Sequence, residues 1–137
     1  MKYLIDTNII SELRKGSRSD ENVGRWYQST DRADLFLSVL TVGEIRKGIE
    51  MVRRTDRAQT AALEGWLRRL TTEFIGRVIL IDEAVAEEWG HGAALRSLPV
   101  IDGLLSATAR VYDLTLGTRN TRDFEGTGMR LLNPFTE

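Results

Sequence analysis

Four acidic residues stand where this chain could do chemistry: Asp6, Glu44, Asp102 and Asp123. Asp6 ends the apolar run Tyr3-Leu-Ile5, and Glu44 lies in Thr41-Val-Gly-Glu44, just after Leu35-Phe-Leu-Ser-Val-Leu40. Asp102 opens the mostly apolar stretch from Ile101 to Tyr112, and Asp123 follows Leu114-Thr-Leu-Gly-Thr118. Carboxylates that converge repel unless a cation neutralises them or their pKa values rise. Hard divalent cations take oxygen ligands, and Mg²⁺ typically uses one or two carboxylates while keeping waters that a substrate phosphate replaces. Such a centre activates water and stabilises the leaving oxygen of an in-line displacement. Thr7, Asn8, Ser38, Thr118 and Asn120 lie close enough in sequence to orient ligands or water around it.

Each acid also has a plainer reading. Asp6 could cap the helix that Thr7 and Asn8 begin. Thr41-x-x-Glu44 is the capping-box pattern, in which Glu returns a hydrogen bond to the cap residue. Asp102 suits the positive end of a helix dipole, and Asp123 and Asn120 suit a turn. Asp102 resists dismissal most, because its neighbours are nearly all apolar or small. A lone carboxylate there is costly unless paired or metal-bound.

The elements that must position these acids follow from periodicity. Tyr3-Leu-Ile5, Leu35 to Leu40, Val78-Ile-Leu-Ile81, Leu114 to Thr118 and Arg130-Leu-Leu132 read as strands. Helices are expected from Thr7 to Leu13, from Glu21 to Ser29 and from Thr41 through Ile45, Ile49 and Val52. Thr55-Asp56 caps a further helix carrying Leu63, Trp66, Leu67, Leu70 and Phe74. Asp82 caps another, which Gly90-His-Gly92 breaks or bends, and the last runs from Ile101 to Tyr112 after Pro99. Strands alternating with helices argue for a parallel sheet, with strand ends gathered at one edge. In open sheets of this kind ligands bind at the carboxyl ends of the strands. Trp26, Tyr27, Met51 and Val52 could form part of a groove for a partner helix or a dimer surface, though a core role is the stronger reading.

Composition narrows the chemistry further. The 137 residues, expected to form a single domain over 1–137, include no Cys and one His, His91. That removes thiolate nucleophiles, Cys-based zinc sites, disulfides and paired-His catalysis. A formal net charge of -1 gives no bulk basic surface for nucleic acid. The basic residues are 16 Arg and 3 Lys, a bias compatible with a phosphate-bearing partner but only weakly diagnostic, since high G+C base composition is the stronger explanation. The apolar run before Asp6 is too short for a signal peptide, and no run approaches a membrane span, so a cytoplasmic location without a membrane partner is expected.

Leu4-Ile-Asp-Thr-Asn8, Ser38-Val-Leu-Thr-Val-Gly-Glu-Ile45, Pro99 to Ala109 and Leu114 to Phe124 together resemble the four acidic motifs of the PIN domain. In order and length they are most similar to the VapC-type toxins of bacterial type II toxin–antitoxin pairs. Gly103 and Ser106 stand where Ala is common in that family. The resemblance implies a three-layer α/β/α sandwich with a central, mainly parallel sheet of four to five strands. It also implies a Mg²⁺- or Mn²⁺-dependent endoribonuclease, usually a homodimer, held inactive by a small cognate antitoxin. By motif position Asp6, Glu44, Asp102 and Asp123 take the catalytic and metal-centred roles. Asp6 and Asp102 are the most secure direct ligands, and Asp123 could act through water. Arg46, Arg119 or Arg122 could hold the RNA backbone.

The competing reading is a non-catalytic protein-interaction or nucleic-acid-binding module on the same fold, its acids serving only as caps. Other acid-using families fit less well. Asp6-Thr-Asn8 lacks the second Asp of haloacid-dehalogenase-like phosphatases. Every Lys lies at or before Lys47, whereas response-regulator receivers carry one late. Gly90-His-Gly92 follows no strand and misses the last Gly of a dinucleotide fingerprint.

Overall fold

Leu4 and Ile5 are fully buried side by side in the first strand, and they face opposite ways. Leu4 packs into one apolar cluster and Ile5 into another, as the period of two along a strand requires. The same alternation recurs in the second strand, where Leu35 and Leu37 join the cluster of Ile5 and Phe36 that of Leu4. A sheet buried on both faces needs helices on both, and that sets the architecture. The structure is a computed structural model and describes residues 1–136.

Five short strands form one sheet: β1 (Tyr3–Ile5), β2 (Leu35–Ser38), β3 (Val78–Ile79), β4 (Thr115–Gly117) and β5 (Leu131–Leu132). Their order is β3-β2-β1-β4-β5, and every neighbouring pair is parallel. Among the described residues six α-helices accompany them: α1 (Thr7–Leu13), α2 (Glu21–Ser29), α3 (Val39–Arg53), α4 (Arg57–Glu73), α5 (Glu83–Leu95) and α6 (Val100–Val111). Ile9, Ile10, Val23, Ile45, Ile49, Leu63, Leu67 and Leu70 from α1 to α4 close one face of the sheet. Leu105 and Ala109 of α6, with Leu114, Leu116 and Phe124, close the other. The result is the expected three-layer α/β/α sandwich. Full burial of each of these large side chains is worth about 1.5–3 kcal/mol. Trp26, Tyr27 and Val52 pack against the core, with Tyr3 and Trp26 edge-to-face at 5.3 Å, and only Met51 of that set stands out in solvent.

Several boundaries differ from the sequence expectation. The apolar run Leu35 to Leu40 does not stay extended: Ser38 caps a helix that starts at Val39, its hydroxyl accepting from Leu40 N at 3.0 Å. A buried hydroxyl at a strand end satisfies a free helix donor, and that outweighs two further β-formers. β3 stops at Ile79, and Leu80 is left exposed on the way to the Asp82 cap. Gly90 and Gly92 neither break nor end α5, which continues to Leu95, since isolated glycines cost a helix only about 1 kcal/mol each. Among the described residues no helix is long and apolar enough to cross a membrane.

An ion-pair cluster clips α3 to α4. Arg46 reaches Glu64 at 2.6 Å and Glu50 at 3.1 Å, and Arg53 reaches Glu64 at 2.6 Å. Hydrogen bonds from Arg46, and then from Arg53, hold the Glu64 carboxyl down to about 2. A pKa depressed on folding gives stability that is present above the unfolded carboxylate value and lost as pH falls toward the folded one. Glu64→Gln is therefore expected to lower urea stability near neutral pH, with the gap to wild type closing as pH falls from about 5 toward 2. The partners are solvent-exposed, so the gap should be small and should shrink in high salt. A gap independent of pH would assign the effect to packing instead.

Candidate functional site

β1 lies in the middle of the sheet. The chain leaves it toward β2 and β3 on one side and returns to β4 and β5 on the other. This reversal opens a crevice at the carboxyl ends of β1 and β4, the place where open α/β sheets bind ligands. Helices that link parallel strands run back against them, so their first turns also sit at this edge. Asp6 follows β1 directly, Glu44 lies in the second turn of α3, Asp102 is in the first turn of α6, and Asp123 lies in a 3-10 turn (Thr121–Phe124) after β4.

Asp6 is fixed by both backbone and side chain. Its amide donates to Gly117 O at 2.8 Å, carrying the β1–β4 ladder one residue past the strand. Its Oδ1 accepts from Thr7 N at 2.7 Å, so it does cap α1. Its Oδ2 accepts from Thr118 Oγ1 at 2.8 Å and from Asn8 Nδ2 at 3.5 Å. Thr118 is fully buried, and its amide donates to Leu132 O at 2.9 Å. Asn8 bridges α1 to the loop after β4: its Nδ2 donates to Thr118 Oγ1 at 3.3 Å and its Oδ1 accepts from Arg119 N at 3.1 Å. The same carboxylate thus caps α1 and ties it to the loop after β4.

Glu44 is not part of a capping box. With α3 starting at Val39, Thr41 lies inside the helix, fully buried and with its Oγ1 unpartnered among the described residues. Glu44 Oε1 instead accepts from Thr7 Oγ1 at 2.7 Å, tying α3 to the start of α1. Thr7 therefore links Asp6 and Glu44 through its amide and its hydroxyl.

Asp102 differs from both. It is half-buried, and among the described residues no donor and no basic group pairs with its carboxylate. Burial pushes its carboxyl above the usual carboxylate range, and the charges of Asp6, Asp123 and Glu44 push the same way. All four acids thus act within one local field, as expected of carboxylates at a common edge. Asp123 itself is exposed. Among the described residues no three His or acidic side chains stand as a ready-made metal cage. An all-oxygen donor set containing one unpaired, half-buried acid fits a hard divalent cation that keeps most of its waters.

Of the residues expected to support the acids, Thr7, Asn8 and Thr118 do so directly. Ser38 serves as the cap of α3, and Asn120 contributes its amide to Thr118 Oγ1 at 3.1 Å. Arg46 is committed to Glu50 and Glu64. Arg119 lies beside Asn8, its guanidinium 4.4 Å over the Phe135 ring. His91 is exposed.

Residues 3–128 match the PIN domain family. Toxin FitB of Neisseria gonorrhoeae is 30% identical over 96% of this chain and 97% of its own length. The crystal structure of FitAcB from that organism matches with a TM-score of 0.88 at 30% identity, covering 98% of this chain and 99% of that one. VapC ribonuclease Y4jK of Sinorhizobium fredii is 32% identical over 96% of each chain. A toxin-antitoxin complex from Klebsiella pneumoniae matches at 26% identity with a TM-score of 0.74, over 97% of this chain and 98% of that one. With the acidic edge, the parallel sheet and these relatives agreeing, the chain belongs to the PIN domain family.

Proposed function

We propose that this protein is a metal-dependent endoribonuclease, the toxin of a toxin–antitoxin pair, acting through 1–137 as one PIN unit. The observation that carries the reading is Asp102. A half-buried carboxylate with no protein partner, facing three other negative charges, is a liability in a cap and an asset in a cation site. The names of the relatives support the class: one is a toxin, one a VapC ribonuclease, and one structure is a toxin-antitoxin complex. A cognate antitoxin is therefore the expected protein partner, and a homodimer the expected assembly.

In this reading Asp6 and Asp102 would hold Mg²⁺ or Mn²⁺, with Glu44 and Asp123 completing the acidic shell. The cation, when bound, activates water and offsets the charge that builds on the RNA phosphate during in-line displacement. The chain's own residues pre-set the site. Thr118 holds Asp6 Oδ2, Thr7 holds Glu44 Oε1, and Asn8 fixes the loop from Thr118 to Arg119. Arg119, braced on Phe135 beside this loop, and Arg122, exposed next to Asp123, are the cations that would meet the RNA backbone.

Antitoxin-free protein should cleave single-stranded RNA in Mg²⁺ or Mn²⁺ and not in EDTA. The same metals should raise its unfolding temperature, because a ligand that binds only the folded state stabilises it. Metal-independent cleavage would sink the mechanism. Neither cleavage nor a metal-induced shift would favour the non-catalytic module.

A further inference from the structure

A cavity of about 240 Å³ opens between α5 and α6, bounded on its third side by the loop that follows Asp123. None of the four acids lines it, yet it begins at Gly103, the residue after Asp102. Gly103, Ser106, Ala107 and Arg110 recur at helical spacing and present one face of α6 to it. Trp89 of α5 forms the opposite wall. A Cβ added at Gly103 would lie 3.1 Å from both Cδ1 and Nε1 of Trp89, so the glycine lets the indole pack against α6 without being pushed outward by a few tenths of an ångström.

The polar groups along this cavity are not all used internally. Ser106 is 6% exposed, and its hydroxyl has no partner among the described residues. The Trp89 Nε1–H likewise has no acceptor there. At the rim Glu88 Oε1 and Arg110 Nε lie 3.1 Å apart, and Arg110 Nη2 donates to Thr127 O at 2.7 Å. The cavity therefore offers an aromatic wall, a buried hydroxyl, a carboxylate acceptor and a guanidinium donor. An aliphatic side chain would leave the Ser106 hydroxyl and the Trp89 Nε1–H without partners, whereas Glu88 and Arg110 at the rim already hold each other. A flat heteroaromatic ring with its own edge donors and acceptors satisfies them. Sequence-selective recognition of single-stranded RNA works in this way, with a splayed base held against an aromatic ring and read along its edge.

We propose that this cavity receives one unstacked base of the RNA strand beside the phosphodiester that is cut, with Trp89 as its wall and Ser106 and the Glu88–Arg110 pair as its readers. The inference rests on the ribonuclease reading above, and it makes these residues the determinants of cleavage sequence.

Two measurements separate the two ideas. Wild type, Trp89→Ala and Ser106→Ala would each digest a random single-stranded RNA pool in Mg²⁺, with the bases flanking every cut counted. Asp102→Asn forms of the same three proteins would be titrated with labelled oligo-A, -C, -G and -U, and unfolding temperatures would confirm that each is folded. Wild type is expected to prefer one base within about two nucleotides of the cut, and to bind the matching homopolymer best. Trp89→Ala should flatten that preference and weaken the favoured binding by roughly ten- to a hundredfold, the range for losing one base–aromatic stack. Ser106→Ala, which removes a hydroxyl with no internal partner, should alter base choice at an unchanged unfolding temperature. Unchanged preference and binding in both folded variants would overturn the cavity assignment while leaving the ribonuclease standing. Trp89-dependent binding without metal-dependent cleavage would do the reverse. No RNA binding or cleavage at all would remove both. Unchanged RNA handling with loss of a co-purifying protein in Trp89→Ala would overturn the assignment in favour of a protein partner.

Discussion

Asp102→Asn is expected to abolish metal-dependent RNA cleavage, by at least roughly 10²–10³-fold, the cost of losing one preorganised charge-stabilising group. The substitution keeps the side chain's shape and removes its charge. Its effect on stability should run the other way. In the folded protein burial and the charges of Asp6, Asp123 and Glu44 all disfavour the Asp102 carboxylate, and no donor compensates it. Replacing it with a neutral amide relieves that repulsion, so without metal the variant should unfold at the same temperature or higher. With Mg²⁺ the wild type should gain stability and the variant should not. An acid that merely caps a helix gives the opposite pattern, with a modest loss of stability on neutralisation and no metal dependence. Cleavage assays with thermal unfolding in EDTA and in Mg²⁺ read both effects. Full activity in Asp102→Asn, or a loss of activity explained by unfolding, would remove Asp102 from the mechanism.

Where the four acids fall in the fold was largely legible, because they lie where elements change type. A run such as Tyr3-Leu-Ile5 ends at an acid, and a parallel sheet sends every such ending to one edge. Local pattern plus the rule for parallel connections thus brings Asp6 and Asp102 together without long-range information. Glu44 shows where pattern misleads. Thr41-x-x-Glu44 satisfies the capping-box spacing, but that spacing acts only if the helix starts at Thr41. Ser38, buried at the end of β2, starts the helix at Val39 instead. That one choice of cap leaves Thr41 inside the helix and frees Glu44 to meet Thr7, 37 residues earlier. No local window holds that information.

The cavity beside α6 was hidden for a related reason. Gly103 and Trp89 are ordinary residues in sequence, and their close approach depends on how α5 and α6 cross. The glycines at 90 and 92 read as breakers, yet α5 runs through them and carries its wall of the cavity as one piece. Arg46 carries the same lesson in reverse. It reads in sequence as one of three Arg that could hold the RNA backbone, and Glu50 of α3 and Glu64 of α4 engage it instead.

Phe124→Ala should be among the most damaging single changes outside the acids, and it tests whether packing positions them. Phe124 is 1% exposed and closes the cluster of Leu4, Leu105, Leu114 and Leu116 beneath the crevice. It also ends the short turn that carries Asp123, so one residue anchors the loop while its neighbour faces solvent. Truncating a buried Phe typically costs about 3–5 kcal/mol, because the transfer term and the cavity left behind add. For a domain of this size that corresponds to a fall in unfolding temperature of roughly 10–20 °C. Asp123→Asn is the informative partner, since an exposed acid in a turn contributes little to stability, and its loss should lower cleavage at a near-normal unfolding temperature. If Phe124→Ala, assayed well below its own transition, also loses cleavage, the core beneath the loop is what holds Asp123 at the edge. If it cleaves normally while folded, Asp123 owes its position to the turn's own backbone hydrogen bonds, such as its amide to Asn120 O at 3.1 Å, and the packing below it serves stability alone.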